Sequence, residues 1–170
     1  MKYLVVSDIH GLKESFELIE KINFKEHIDK IILLGDLYHH SFSSNYEGAE
    51  ILNKYKGKIL CTKGNCDSPY DIAQSEFEMV NSLVLNIKNK TFFFTHGHLY
   101  DYNTLPIKVD YYVSGHLHFN YIKKLNDLTI VNPGSISYPK NNTKSSYIII
   151  DDYISLYDSE ENLLDRVEIC

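Results

Sequence analysis

Two rhythms of apolar residues run through this chain. In the first third, short unbroken apolar runs alternate with longer stretches of helical spacing. Tyr3–Val6, Ile31–Leu34 and Lys58–Thr62 read as strands. Between the first two, Leu12, Phe16, Ile19 and Ile22 recur at intervals of three and four, which predicts an amphipathic helix from Leu12 to about Asn23. A second helix is predicted over Glu47–Tyr55, after a polar, loop-like stretch from His39 to Asn45. Strand, helix, strand, helix, strand implies right-handed crossovers and a parallel sheet. The unbroken apolar character of Ile31–Leu34 implies burial on both faces.

After residue 80 the pattern changes. Met79–Ile87 partly alternates, Lys88-Asn89-Lys90 reads as a hairpin turn, and Thr91–Phe94 follows as a strand. Tyr111–Val113 is a further strand. Tyr121–Leu125 and Leu128–Val131 flank a second hairpin turn at Asn126-Asp127. Ser146–Ile150, Tyr153–Tyr157 and Leu163–Ile169 read as a terminal meander. The fold class is α/β (α+β). Its expected architecture is a four-layer α/β/β/α sandwich of two mixed sheets flanked by helices, parallel in the first half and mostly antiparallel in the second.

Composition narrows the function. With 170 residues and 44% hydrophobic content, one domain over 1–170 is the expectation. The net charge of −6 argues against long nucleic acid as a partner, because such surfaces are basic. An anionic substrate must then be attracted locally, and bound cations are the obvious source. The cysteines Cys61, Cys66 and Cys170 match no zinc or disulfide framework, so a reduced, cytoplasmic protein is expected. The N-terminal apolar run is too short for a signal peptide, and no segment has the length of a membrane span. The 14 Tyr and 8 Phe can supply an interface core as well as a monomer core.

The chemistry collects at strand ends. Of eight histidines, only His27 does not closely follow an apolar run. Ser7-Asp8-Ile9-His10, Gly35-Asp36, Gly64-Asn65-Cys66-Asp67, Thr95-His96-Gly97-His98 and Gly115-His116-Leu117-His118 each end a predicted strand. In parallel sheets ligands bind beyond such ends. In an extended segment i and i+2 point the same way, so Asp8 and His10 can face one crevice, as can His116 and His118. His10-Gly11 opens the first helix, where backbone N–H groups can face an anion. Imidazole nitrogen with carboxylate or amide oxygen suits Mn, Fe, Zn, Ni and Co. A carboxylate can bridge two ions about 3.5–4 Å apart, and Asp36 is the best candidate for that bridge.

These five blocks resemble those of the calcineurin-like metallophosphoesterase superfamily, in its order. Asn132-Pro133-Gly134-Ser135 with Pro139-Lys140 extends the resemblance, and the details are similar to the small stand-alone bacterial and archaeal phosphodiesterases of the YfcE type. The resemblance implies two divalent ions, Mn²⁺ in the first place, with Zn²⁺, Fe²⁺, Ni²⁺ or Co²⁺ as alternatives. Asp8, His10, Asp36 and His118 would hold one ion; Asp36, Asn65, His96 and His116 the other. His98 would orient a ligand. His10, Asp36, Asn65 and His98 would carry catalysis, and His40 and Cys66 would contact substrate. His39 reads as loop surface. The implied reaction is hydrolysis of a small phosphodiester by in-line attack of a hydroxide bridging the ions. A phosphomonoesterase or nuclease on the same site, or a Vps29-like interaction scaffold, are the alternatives. Relatives of this type form homodimers and homotetramers.

Two departures stand out. Many superfamily members have Gly-Asn-His-Asp where this chain has Gly-Asn-Cys-Asp, and that His is a candidate proton donor to the leaving oxygen. The loop Ser41-Phe42-Ser43-Ser44-Asn45 lacks the Arg and prolines common in this type, which points to an altered substrate pocket.

Overall fold

The computed structural model describes residues 1–39 and 44–170, together with the backbone of 40 and 43. The first strand, β1 (Tyr3–Val6), is buried throughout. Helix α1 (Lys13–Lys25) follows, burying Phe16, Ile19 and Ile22 on one stripe. Strand β2 (Lys30–Leu33) comes next, then a small ribbon of β3 (His39–His40) and β4 (Ser43–Ser44). That ribbon lies where a polar loop was expected. Helix α2 (Glu47–Asn53) packs against α1, and Gly48 makes this approach possible: a Cβ there would run into the Phe16 ring.

Strand β5 (Ile59–Thr62) leads into a short helix, α3 (Pro69–Ala73), that periodicity did not reveal. Its signal was local. Ser68 and Asp71 form a reciprocal capping box, with Pro69 in the first turn.

The stretch expected as one strand over Met79–Ile87 is divided between sheets. β6 (Met79–Val80) pairs in parallel with β5, and β7 (Ser82–Ile87) pairs antiparallel with β8 (Lys90–Thr95). Lys88 and Asn89 at this hairpin tip both have positive φ, 54° and 62°, as a two-residue type I′ turn requires. The chain continues through β9 (Tyr111–Ser114), β10 (Asn120–Leu125), β11 (Leu128–Pro133), β12 (Ser146–Ile150), β13 (Tyr153–Asp158) and β14 (Leu163–Glu168).

Two mixed sheets result, as expected. The larger has the order β14-β13-β12-β1-β2-β5-β6, with β1, β2, β5 and β6 parallel and the last three strands antiparallel. The smaller has the order β10-β11-β9-β8-β7. Its centre is parallel, β8 to β9 and β9 to β11, against the expectation of a mostly antiparallel second half. Neither crossover shows in local periodicity.

Strand alternation sorts the core into layers. Leu4, Val6, Ile31 and Leu33 face the helices, with Phe16, Ile19 and Ile22. Val5, Ile32 and Leu34 face the other sheet, against Phe92, Phe94, Val113 and Val131. Each such fully buried side chain contributes about 1.5–3 kcal/mol. On the outer face of the smaller sheet, Phe93, Val109, Tyr112 and Ile130 are covered by Tyr100, Tyr102 and Leu105 of the 96–110 connection; among the described residues no helix lies there. This packing brings the carboxyl ends of β1, β2, β5, β8, β9 and β11 to one rim.

Candidate metal centre

The rim begins with backbone geometry. Asp8, His10, Asp36, His116 and His118 all have left-handed φ, between 49° and 67°. For a residue other than glycine this conformation is strained, typically by about 1–3 kcal/mol. Neighbouring chain holds it. Asp8 N–H donates to Gly35 O (3.2 Å), His10 N–H to Asp36 O (2.9 Å) and Gly11 N–H to Leu37 O (2.9 Å). The N–H groups of His10 and Gly11 are therefore committed to carbonyls, not facing an anion as expected. The pairs Asp8/His10 and His116/His118 are also not extended. They reach the crevice because the chain turns at each ligand, not because alternate residues share a face.

One cluster joins Asp8, His10 and His118. His10 Nδ1 lies 2.7 Å from His39 O, and His118 Nδ1 lies 2.8 Å from Tyr138 O. Each Nδ1 therefore donates to that carbonyl, and each Nε2 is turned toward the cluster. These Nε2 atoms face each other at 3.3 Å. Asp8 Oδ1 lies 3.3 Å from His118 Nε2 and 3.9 Å from His10 Nε2, and it is buried with no hydrogen-bond donor among the described residues. A divalent cation at this point would satisfy all three groups. The residues fit a metal ion.

A second cluster adjoins it. His96 Nδ1 is 2.6 Å from Leu34 O, and its Nε2 is 3.0 Å from Asn65 Oδ1 and 3.3 Å from Asp36 Oδ2. Asp36 Oδ2 also lies 3.8 Å from His10 Nε2, so one carboxylate oxygen faces both clusters. The His116 ring stands 5.0 Å from that of His96, a little outside the tight grouping. Its pKa is lowered, by burial first and then by His96, which favours the neutral ring a ligand needs. Burial opposes ionisation of Asp36, but His96, the Cys66 N–H and His10 outweigh it and hold the carboxyl well below its usual range. For His96 burial lowers the pKa, and Asp36 and Asp8 raise it to a net upward shift.

The other expected residues are placed as follows. His98 packs edge-on to His96 at 5.3 Å, and its Nδ1 is buried with no hydrogen-bond partner among the described residues. Cys66 is half-buried on the wall of a cavity of about 370 Å³ that opens over the clusters. Its N–H donates to Asp36 Oδ1 (2.8 Å), and Asn65 Nδ2 donates to its sulfur (3.3 Å). Burial and then Asp36 push the thiol up to about 12. The His40 side chain, expected at the substrate, lies outside the described residues, as do Ser41 and Phe42. His39, expected on the loop surface, lines the cavity instead, along with Tyr138 and Lys140.

A family model described as the calcineurin-like phosphoesterase superfamily domain matches residues 1–152. The chain belongs to this superfamily. It is 30% identical over 162 residues to phosphodiesterase YfcE of Escherichia coli strain K12, covering 89% of this chain and 88% of that protein. A solved structure of YfcE, a phosphoesterase from Escherichia coli, superposes with a TM-score of 0.93 at 27% identity, covering 100% of both chains. Vacuolar protein sorting 29 of Cryptosporidium parvum shares the fold, with a TM-score of 0.72 at 18% identity over 99% of this chain and 98% of that one.

In this member of the superfamily, much of the support comes from residues without a ligand's chemistry. Asp67 is 3% exposed and accepts N–H donors from Asp36 (2.9 Å), Leu37 (2.9 Å) and Gly64 (2.7 Å), which fixes the turn that carries Asp36. Ser135, fully buried, donates to Asp8 O (2.7 Å) and accepts from Tyr138 N–H (2.8 Å). Ser137 donates to Ile9 O (2.7 Å). A Cβ on Gly115 would run into the Ser7 hydroxyl and crowd Asp8 Oδ2. The Asn132-Pro133-Gly134-Ser135 block signalled this region in sequence without disclosing its task.

Proposed function

We propose that this protein is a metal-dependent phosphodiesterase acting on small phosphodiesters, with the whole of 1–170 as one catalytic domain. The observation that carries the reading is the convergence of His10 Nε2, His118 Nε2 and the buried Asp8 Oδ1, which has no hydrogen-bond donor among the described residues, in one cluster. Asp8, His10, Asp36 and His118 would hold one divalent ion, and Asp36, Asn65, His96 and His116 a second. When bound, the ions supply charge to the phosphoryl oxygens and make hydroxide available near neutral pH.

The chain's own residues do the rest. Carbonyl oxygens of His39, Tyr138 and Leu34 hold the rings of His10, His118 and His96 with Nε2 turned into the site. Asp36 ties the two halves through Oδ2, while the Cys66 N–H pins its other oxygen. Cys66 stands on the cavity wall, where it faces substrate but is a poor proton donor. The reading is therefore a hydrolase of phosphodiesters with good leaving groups, by in-line displacement at phosphorus. Mn²⁺ is the metal we propose, since nitrogen and oxygen donors suit it and no thiolate is required. A cytoplasmic setting accords with three free cysteines. Assembly as a homodimer or homotetramer is part of the same proposal.

The test is elemental analysis joined to turnover of bis(p-nitrophenyl) phosphate. Two Mn²⁺ per chain and activity lost on chelation and restored by Mn²⁺ are expected. Hydrolysis that survives complete metal removal would sink the reading.

A further inference from the structure

Lys140 lines the same cavity, and its position is built. Its N–H donates to His118 O (2.9 Å), and its carbonyl accepts from Thr143 N–H (3.0 Å) and Thr143 Oγ1 (2.8 Å). Two residues earlier, Tyr138 O receives the ring N–H of His118. The segment is anchored deeper by Ser135 on Asp8 O and Ser137 on Ile9 O. Lys140 is thus fastened to the strap that orients a proposed ligand, and it keeps its place relative to the centre.

Its charge has no use within the described protein. Several lysines elsewhere are paired, such as Lys13 with Glu47 (3.5 Å), Lys56 with Glu76 (2.5 Å) and Lys144 with Asp158 (2.8 Å), while Lys63, Lys108, Lys123 and Lys124 are not paired among the described residues but lie off this cavity's wall. Lys140 makes no ion pair among the described residues, and its side chain is exposed in a chain of net charge −6. It is also the only Lys or Arg on the described wall of this cavity. The scissile phosphate of a diester carries a single negative charge, which bound divalent ions already meet. Lys140 is therefore surplus to that phosphate. An ammonium is a compact point charge with three donors and binds terminal phosphates in that role. A cavity of about 370 Å³ is at the small end for ligand sites, so a second group on a bound diester stays within reach.

We propose, resting on the phosphodiesterase reading, that Lys140 selects diesters bearing a second anionic group, and that a terminal phosphate satisfies it. Two chromogenic substrates isolate this. Thymidine 5′-(p-nitrophenyl phosphate) and its 3′-phosphorylated derivative share leaving group and scissile bond and differ only in the second phosphate. The Mn²⁺-loaded protein is expected to favour the 3′-phosphorylated ester in kcat/KM by about tenfold, the scale of one charge-assisted hydrogen bond, and mainly through KM. Lys140→Gln is expected to collapse that preference, and Lys140→Arg to keep most of it.

Calorimetric binding of thymidine 3′,5′-bisphosphate against thymidine 5′-phosphate reads the same preference without turnover. Binding preference without hydrolysis by metal-loaded protein would refute the phosphodiesterase reading and leave the Lys140 assignment standing. No preference in the parent would overturn the assignment. So would a Lys140→Gln variant with an unaltered ratio, or one that loses both substrates equally, which would place Lys140 on the scissile phosphate.

Discussion

His10 Nε2 and His118 Nε2 point at each other across 3.3 Å, and the other nitrogen of each ring is committed to a backbone carbonyl. Two ring nitrogens at that distance are drawn together when something electropositive lies between them, a proton or a cation. Asp8 Oδ1, buried beside them with no donor among the described residues, adds a negative oxygen. A divalent cation would satisfy all three groups at once.

Asp36 links this gap to the His96 side. In Asp36→Asn an amide that coordinates poorly replaces the oxygen facing both clusters. The expected result is weaker binding at both sites, beyond the roughly 10–100-fold typical of losing an outer partner, and a matching fall in diester hydrolysis. Elemental analysis after dialysis checks it. Two ions retained with full activity would contradict the bridging role.

Ser135 supports Asp8 from behind. Removing its hydroxyl takes the donor from the buried Asp8 O and the Ser135 Oγ acceptor from the part-buried N–H groups of Ser137 and Tyr138. Ser135→Ala is expected to cost about 1–3 kcal/mol of stability. Metal affinity should fall about 10–100-fold, because the ligand turn loses its prop. Thermal unfolding with and without Mn²⁺ separates the effects: the gain in Tm on adding metal should be smaller in the variant.

On the proposed reading, Cys66 sets the leaving-group preference. A thiol pushed up to about 12 is a weak donor, whereas general-acid aid is typically worth about 10²–10⁴-fold on a poor leaving group. The parent is expected to favour aryl diesters over alkyl monoesters clearly. Cys66→His should raise kcat/KM on cyclic nucleotides and alkyl esters and change aryl diesters little. A fixed ratio between the substrate classes, with metal content unchanged, would show that Cys66 does not stand on the leaving-group side.

Far from the site, Asp158 governs acid stability. It is fully buried and accepts from Lys144 Nζ (2.8 Å), Glu160 N–H (3.0 Å) and Asn162 N–H (2.8 Å) at the turn into β14. Burial opposes its ionisation, but these donors win, and the carboxyl falls from 3.8 to about 2. A depressed native pKa stabilises the fold above the unfolded value and is lost as pH drops through the native one. The Tm advantage of the parent over Asp158→Asn should therefore be full above about pH 4 and shrink toward pH 2. An advantage independent of pH over that range would show that the carboxylate's charge is not what matters.

Much of the molecule is legible in local order. Apolar runs such as Tyr3–Val6 and Ser146–Ile150 mark strands because an unbroken apolar run is stable only when buried on both sides, and strands form at those residues. The side chains that meet at the rim were likewise recognisable, since polar residues that repeatedly end apolar runs have no packing reason to be there. Local order does not say how strands are paired. The division of Met79–Ile87 between two sheets, and the parallel pairing of β9 with β11, depend on contacts between distant segments. The same holds within the site. An extended segment predicts that Asp8 and His10 share a face, yet both are left-handed, a strained state held by their N–H bonds to Gly35 O and Asp36 O and by the bond that Ser135 donates to Asp8 O. That His118 meets Asp8, that His39 lines the cavity and that Lys140 overlooks the centre were decided by the tertiary structure, because each depends on where a remote loop closes on the rim.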